Sequence, residues 1–403
     1  MCDYCSWIKT ALEKAKIKKN NVEETNCETV EPVIIVHGGA GRISKFEREF
    51  MLQEVKNAAR DAYEKLIKGT NAIDAVVLSI SHMEGKKYFN CAKGGSLDIN
   101  GEVVMDAAIM NSNFEAGCVG AVRNIEHPIN LAKAVLQKTD HILLVENGAQ
   151  RFASSMGIPL LSPGSLLFCE APPQSINSHD FVNFEIEDEY EEFDIYIRKI
   201  VKHLVEKTLS LEISQEKLAE CVARRLTNTE KEEKKLEEEE EEPMNLNVNA
   251  VGAIAYDRER NFVCGTSTAG KRGKIVGSIS SIGTVIGCGI FADQFGCASF
   301  SGEDKSIYAY APARKIVEKL KMNANTESSL MEQLDSFEME TNESNIGAIA
   351  LNAAGEPAVF FKSMHFPWAI CQKNQIYYGC VKGEKFSERI SNLEKSFGCV
   401  CEK

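Results

Sequence analysis

Apolar positions divide the chain into a part with longer helical patterns and a part rich in short strands. Residues 33–36 are an apolar run that leads through His37 into two glycines, which is typical of a buried strand entering a tight turn. Across residues 50–69 apolar positions recur every three or four residues, which predicts an amphipathic helix with Gly69 as its C-cap. Four short apolar segments between glycine or polar turns predict strands: 252–257, 261–270, 284–293 and 346–361. Such strands, combined with the helices, predict an α+β domain built in layers.

The overall charge narrows the classes of partner. The 403 residues carry a net charge of −13, which argues against a nucleic-acid partner. Nine glutamates and three lysines fall within residues 230–242, and a run of this kind is typical of a solvated linker. The hydrophobic content of 44% is enough for a large core.

The apolar runs and the cysteines indicate a cytoplasmic protein without a membrane anchor. Residues 1–16 lack the apolar segment of a secretory signal, and no apolar run is long enough to span a bilayer. Fourteen cysteines in such a chain indicate reduced thiols. Two cysteine pairs near the termini could together supply the four thiolates of a zinc site: Cys2 and Cys5, and Cys399 and Cys401. Because their spacing differs from that of the usual zinc motifs, separate reduced thiols are the preferred interpretation. No metal or other cofactor is predicted.

Four separated motifs occur in a fixed order along the chain. They are VIIVHGGAG (33–41), FNCAKGGSLDINGEVVMDAAIM (89–110), HPINLAKAVLQKTDHILLVENGAQRFASSMGIP (127–159) and NIGAIALNAAGEPAVFFKSMHFPWA (345–369). Together they resemble the plant-type asparaginase and isoaspartyl peptidase family, and the resemblance extends over roughly residues 32–382. It implies a four-layer αββα sandwich of the N-terminal-nucleophile hydrolase type.

The resemblance also implies a domain organisation. Residues 1–31 are predicted to be a tail and residues 383–403 a charged helical tail. Residues 32–208 and 249–382 correspond to the two halves of one asparaginase-like domain, and residues 209–248 to the acidic flexible linker between them.

The position that carries the chemistry in the family is occupied here by Ala250. In the family a threonine stands there, and the precursor is cut just before it. The freed amine and the hydroxyl then act as base and nucleophile. A methyl group supports neither step, and residues 247–251 contain no serine, threonine or cysteine. The sequence therefore predicts an uncut chain.

Three further positions match the family's catalytic neighbourhood. Thr268 stands where a second threonine contacts the nucleophile. Ser301 and Gly302 stand where the family has a threonine-glycine pair whose threonine polarises the substrate carbonyl. Because the nucleophile is missing, these hydroxyls are as well explained as ordinary strand side chains.

The resemblance implies that the substrate clamp is lost. The family's arginine for the substrate carboxylate aligns with Ser278, and its aspartate for the substrate ammonium aligns with Ser280 or Ser281. Serine cannot replace a bidentate guanidinium. Lys274 supplies a charge nearby, but not the fork geometry.

The first half of the chain contributes two positions that line or brace the family's active site, Asn90 and Asp106. The loop between them has one residue more than the family's turn, so a bound cation is left unsupported. His37, at a strand end, is interpreted as a core residue and not as a base.

These observations leave three hypotheses. The first is an inactive, uncleaved family member that acts as a binding or scaffold protein and forms a homodimer. Its target is then either a small amino-acid-like ligand or an active paralogue with which it pairs. The second is an active amidohydrolase on L-asparagine or β-aspartyl peptides that uses Thr268 or Ser301. The third is a relative of threonine aspartase, the protease branch of the superfamily.

Overall fold

The computed structural model describes residues 30–167, 248–322 and 325–390. The described residues belong to one compact unit. The acidic run 230–242, the predicted boundary at residue 208 and the four terminal cysteines lie outside the described residues. In the part of the chain that is described, no helix is long and apolar enough to cross a membrane.

The larger of two β-sheets runs through the middle of the first unit. Its strands are β1 (Val33–His37), β2 (Met105–Asn111), β3 (Ala116–Val122), β4 (Leu143–Val145), β5 (Val251–Tyr256), β6 (Phe262–Thr268), β11 (Trp368–Gln372), β12 (Gln375–Gly379) and β13 (Phe386–Arg389). They lie in the order β13-β12-β11-β1-β5-β6-β2-β3-β4. Neighbouring strands are antiparallel, except for β3 and β4, which are parallel. Strand β1, near the start of the chain, therefore lies between β5 and the much later strand β11.

The smaller sheet lies against one face of the larger one. Its strands are β7 (Ile290–Asp293), β8 (Gly296–Ser301), β9 (Gly347–Asn352) and β10 (Pro357–Phe361). They are antiparallel in the order β10-β9-β8-β7. Strand β8 contacts β5 and β6, so the end of β8 lies close to the start of β5.

Helices cover the outer face of each sheet. The larger sheet carries α1 (Lys45–Ile67), α2 (Ala72–Glu84), α3 (Pro128–Lys138) and α4 (Glu146–Ser155). Two short helices, α5 (Ser281–Thr284) and α6 (Asp304–Tyr310), precede α7 (Pro312–Met322) and α8 (Thr326–Thr341), which cover the smaller sheet. Helix α1 starts before the predicted residue 50 because the Ser44 side chain caps it by accepting from the Glu47 N–H. It ends at Ile67 with Lys68 as the C-cap, and Gly69 follows with a φ of +90°.

Strand β1 shows why the layers form. Ile34 and Val36 lie in the core between the larger sheet and its helices, whereas Val33 and Ile35 lie in the core between the two sheets. Because side chains alternate between the faces of a strand, a strand buried on both sides has to be apolar throughout. The chain therefore has the four-layer αββα sandwich of the N-terminal-nucleophile hydrolases, and the predicted fold is confirmed.

One element of the predicted organisation is wrong where it is described. The C-terminal tail was expected to be helical from residue 383, but residues 386–389 form the edge strand β13. Strand β13 pairs with β12, and backbone pairing with an existing strand outweighs the helical charge pattern of so short a segment. Residues 391–403 lie outside the described part.

Candidate functional site

Residue 250 lies at the centre of the candidate site, one residue before β5. Ala250 is buried, with 1% of its surface exposed. The backbone N–H and the side-chain Nδ2 of Asn249 both donate to the carbonyl oxygen of Ala40, each at 3.0 Å. Gly39 has a φ of +102°, and a Cβ there would lie 2.4 Å from the Asn249 carbonyl oxygen. Only glycine fits this turn, since Val248 and Asn249 pack directly against it.

Ser301, the last residue of β8, reaches Ala250 from the smaller sheet. Its Oγ donates to the Ala250 carbonyl oxygen at 2.9 Å and accepts from the Ala40 N–H at 3.0 Å. The side chain is fully buried. Gly302 follows, and a Cβ there would lie 2.8 Å from the Ile346 side chain. The Ser301 hydroxyl thus joins three segments of backbone.

Thr268 and Asn90 lie at the neighbouring end of β6. The Thr268 Oγ1 accepts from the Gly270 N–H at 2.9 Å, and its side chain is buried. The Asn90 Nδ2 donates to the Gly270 carbonyl oxygen, and its Oδ1 accepts from the Ser96 N–H, both at 2.9 Å. The Asn90 side chain therefore connects the loop after β6, at Gly270, to its own loop, at Ser96.

The serines at the clamp positions face a carboxylate of the protein itself. The hydroxyls of Ser280 and Ser281 both donate to Asp304 Oδ1 at 2.8 Å, and the Ser281 N–H donates to the same oxygen. Ser278 is instead exposed, in a turn where its N–H donates to the Ile275 carbonyl oxygen. Asp304 is a site residue that the sequence did not indicate, because nothing in its local pattern links it to serines 23 and 24 positions earlier.

Lys274 and Asp106 form a buried pair. The Lys274 Nζ donates to the Val104 carbonyl oxygen at 2.9 Å and lies 3.7 Å from Asp106 Oδ2. The Asp106 carboxylate also accepts from the N–H groups of Ala121 and Ser280, both at 2.8 Å. Burial raises the pKa of Asp106 and lowers the pKa of Lys274, and their mutual attraction opposes both shifts. Lys274 is thus held inside the protein by groups of its own chain.

A serine-histidine pair lies on the strands beside residue 250. His37 Nε2 is 2.9 Å from Ser299 Oγ, and the imidazole stacks on Phe366. Burial lowers the pKa of His37 to about 3, so the ring is neutral. A Cβ on Gly252 would lie 2.2 Å from Ser299 Oγ, which shows how closely the strand covers the pair.

The pair of His37 and Ser299 lacks two features that a catalytic serine and its base need: a group that orients the imidazole, and access for a substrate. No carboxylate orients the ring, because His37 Nδ1 has no hydrogen-bond partner among the described atoms. Both side chains are fully buried.

The sequence analysis did not identify Ser299, which lies 262 positions from His37 in the chain. The described residues also contain no group of three or more His, Cys, Asp or Glu side chains placed to bind a metal ion.

Comparison with known proteins identifies the family. A family model described as asparaginase matches residues 30–184 and 197–380, which is most of the chain. The chain belongs to the asparaginase family. A similar member of that family, an isoaspartyl peptidase/L-asparaginase of Danio rerio, is 30% identical over 89% of this chain and 98% of its own length. The isoaspartyl peptidase/L-asparaginase of Bos taurus is 31% identical over 88% of this chain and 97% of its own.

A third similar protein comes from Pyrococcus horikoshii. The plant-type L-asparaginase of Pyrococcus horikoshii is 31% identical over 83% of this chain and 95% of its own length. The similarity therefore extends over at least 95% of the length of each of these three relatives. The predicted resemblance to this hydrolase family is confirmed.

Proposed function

We propose that this protein is a catalytically inactive member of the asparaginase family, which stays uncut before residue 250 and acts by binding. The observation that carries the proposal is the methyl group of Ala250 at the position of the family's nucleophile. Neither the attack on the preceding carbonyl nor the later attack on a substrate is chemically available to it.

The hydroxyl groups nearest to residue 250 are poor substitutes. Ser301 gives its proton to the Ala250 carbonyl oxygen and has its lone pair on the Ala40 N–H. The Thr268 Oγ1 accepts from the Gly270 N–H. His37, the imidazole on the strand beside them, is bonded to Ser299. This arrangement supports inactivity over the alternative hydrolase that uses Thr268 or Ser301, since neither hydroxyl has a base.

The clamp positions support a loss of substrate binding as well. An amino-acid substrate needs a cation for its carboxylate and an anion for its ammonium group. The hydroxyls of Ser280 and Ser281 are engaged by Asp304, and Lys274 is engaged by Val104 and Asp106. An amino-acid-like ligand of this protein therefore has to be recognised differently from a substrate of an active relative.

The proposal extends to location and assembly. We infer a cytoplasmic protein that forms a homodimer or pairs with an active paralogue. Seven cysteines of the described residues are free thiols and all seven are buried, which suits a reducing compartment.

The test combines intact mass with ammonia release on the same purified sample after prolonged incubation. We expect a single chain of 44.6 kDa and no turnover of L-asparagine or β-aspartyl dipeptides. Loss of a single nucleophile costs on the order of 10⁶-fold in turnover in a well-studied protease. Two fragments that meet near residue 249, or measurable turnover, would show that another residue performs the chemistry.

The matched variant is Ala250→Thr, which returns the family's hydroxyl to the same buried position. If the strand ends around residue 250 still have the processing geometry, this variant is cut before residue 250 while the natural protein is not. Ammonia release is expected to stay absent in the variant because the clamp serines are unchanged.

A further inference from the structure

A buried carboxylate lies at the end of α2, outside the groups that make up the candidate site. Glu84 is the last residue of α2, and its side chain is fully buried. Its Oε1 accepts from the Ser267 Oγ at 2.7 Å and from the Ile129 N–H at 3.1 Å. Its Oε2 lies 3.5 Å from His127 Nδ1, and neither of these two atoms has a hydrogen-bond partner among the described residues. Buried polar atoms without a partner are costly, so the two atoms are expected to satisfy each other.

A single proton between Glu84 and His127 supplies the missing bond. Without it, the lone pairs of Oε2 and Nδ1 face each other, and an ionised carboxylate is buried with one oxygen unpaired. With it, an N–H or O–H between the two atoms satisfies both. The His127 side chain is 30% exposed, so the proton exchanges with solvent. The pair is therefore a buried carboxylate with a titratable partner that reaches the surface.

The Glu84 carboxylate also caps the next helix. His127 is the N-cap residue of α3, but its side chain makes no capping hydrogen bond, and Pro128 has no N–H to donate. The Ile129 N–H, in the first turn of α3, donates to Glu84 instead. Through the Ser267 hydroxyl the same carboxylate oxygen is bound to β6. One side chain thus connects the end of α2, the start of α3 and β6.

The surroundings of the pair favour keeping the proton. The hydrogen bond with Glu84 raises the pKa of His127 above its ordinary value of 6.5, and the charges of Glu84 and Glu126 add to this, whereas burial opposes it. Burial raises the pKa of Glu84, and its bonds to His127 and Ser267 oppose that shift. In the loop after α2, burial raises the pKa of the Cys91 thiol and the Glu84 charge raises it further, so this thiol is neutral.

The other charged side chains of the helices packed here have partners of their own. His82 of α2 pairs with Glu54 of α1 at 2.6 Å, and Lys86 lies 3.1 Å from the same carboxylate. Asp74 of α2 pairs with Lys133 of α3 at 2.5 Å. The balance between Glu84 and His127 is therefore set by the two residues themselves and by the immediate neighbours named above.

We propose that Glu84 and His127 form a pH-sensitive latch, which holds the first turn of α3 against α2 and β6 and releases it when the pair loses its proton. The inference goes beyond the proposed function and does not depend on it. Ser267 precedes Thr268 in β6 and pairs with Val251, the residue after Ala250. The latch is therefore attached to β6 beside two positions of the candidate site.

The direction of the pH dependence follows from the two shifts. Both pKa values are raised, so the folded protein holds the proton at pH values where the unfolded chain has released it. The stability that His127 contributes is complete below pH 6.5 and is lost as the pH rises through its folded pKa. Within this window the equilibrium constant for opening rises by up to about tenfold per pH unit. His37 is neutral in both states above pH 6.5, so it adds nothing there.

Hydrogen exchange of the full chain between about pH 6.5 and pH 8.5 tests the proposal. Each rate is divided by the intrinsic exchange rate at that pH, so that it reports opening alone. We expect the protection of the amides of residues 129–132 to fall at least about tenfold across the range. His127→Asn places an amide nitrogen near the position of Nδ1 that donates at every pH, so the protection of these amides is expected to become independent of pH. His141→Asn, the same change at an exposed histidine, is the matched control and keeps the pH dependence.

Imidazole NMR signals of the natural protein, labelled at histidine, give a second measurement that does not depend on the stability of a variant. The His127 signal is expected to titrate above pH 6.5. Titration at or below pH 6.5 would overturn the proposal, as would a pH dependence in His127→Asn equal to that of the natural protein. A loss of protection that is equal throughout the chain would also overturn it, because the latch releases the start of α3 first. None of these measurements involves catalytic activity, so the proposed inactivity is tested separately.

Discussion

Removing the Ser301 hydroxyl tests whether its hydrogen bonds hold the backbone around residue 250 in place. The Ser301 Oγ accepts from the Ala40 N–H at 3.0 Å and donates to the Ala250 carbonyl oxygen at 2.9 Å. Ser301→Ala therefore leaves one buried backbone donor and one buried backbone acceptor without this partner.

The size of the effect follows from these two groups. A buried polar group that loses its hydrogen bond costs about 1–3 kcal/mol. Because both bonds share one oxygen, we expect a combined loss of about 2–4 kcal/mol in the free energy of unfolding. The volume of a hydroxyl is small, so the cavity contributes little. For a domain of this size the loss corresponds to a fall in Tm of roughly 3–7 °C.

Urea unfolding followed by circular dichroism measures the free energy directly. Ser301→Thr keeps the hydroxyl and restores the family's residue, so it is expected to lose much less stability than Ser301→Ala. Ser278→Ala, at an exposed position, is the control and is expected to stay within about 0.5 kcal/mol of the natural protein. If Ser301→Ala were as stable as Ser278→Ala, the two hydrogen bonds would contribute nothing net and the junction would be held by packing alone.

Three further perturbations test the packing and the charges around the site. Gly252→Ala places a methyl group 2.4 Å from His37 Nε2, and we expect a loss of at least about 2–3 kcal/mol on thermal unfolding. Gly148→Ala, in α4 with no atom within 4 Å of the added Cβ, is its control and is expected to stabilise by about 0.5–1 kcal/mol. The pKa of His37 is about 3 in the folded protein and 6.5 in the unfolded chain. Between pH 3 and pH 6.5 the unfolded chain therefore binds a proton at His37 that the folded protein does not bind. Stability is thus complete above pH 6.5 and falls on acidification, by about 2 kcal/mol at pH 5, and His37→Gln is expected to remove this part of the pH dependence. Lys274→Met leaves the Asp106 carboxylate buried without its cation, and we expect a loss of about 3–5 kcal/mol in urea unfolding, whereas a loss below 1 kcal/mol would mean that the backbone N–H groups suffice.

The edge strand β13 shows the limit of prediction from local pattern. The charged pattern of residues 383–403 predicts a helical tail, yet residues 386–389 pair with β12. An available strand edge is a long-range feature that no window of sequence contains.

The clamp serines show the same limit at the candidate site. Alignment of motifs placed Ser280 and Ser281 on a lost substrate contact, but it gave no sign that both hydroxyls bind Asp304. Likewise, the neutral state of His37 depends on complete burial beside Ser299, a residue from the other sheet.

The amino-acid sequence alone predicted the family and the layered α+β fold, and it carries the proposal that the nucleophile is missing at Ala250. The apolar runs of the strands and the glycines of tight turns predicted the layered fold, whereas the family came from the resemblance of four motifs in a fixed order. The tertiary structure decided which groups meet, because hydrogen bonds such as those of Ser301 to Ala40 and Ala250 join residues 261 and 51 positions apart. Whether a hydroxyl is available for chemistry depends on its neighbours in space, and those are set only when the sheets pack together.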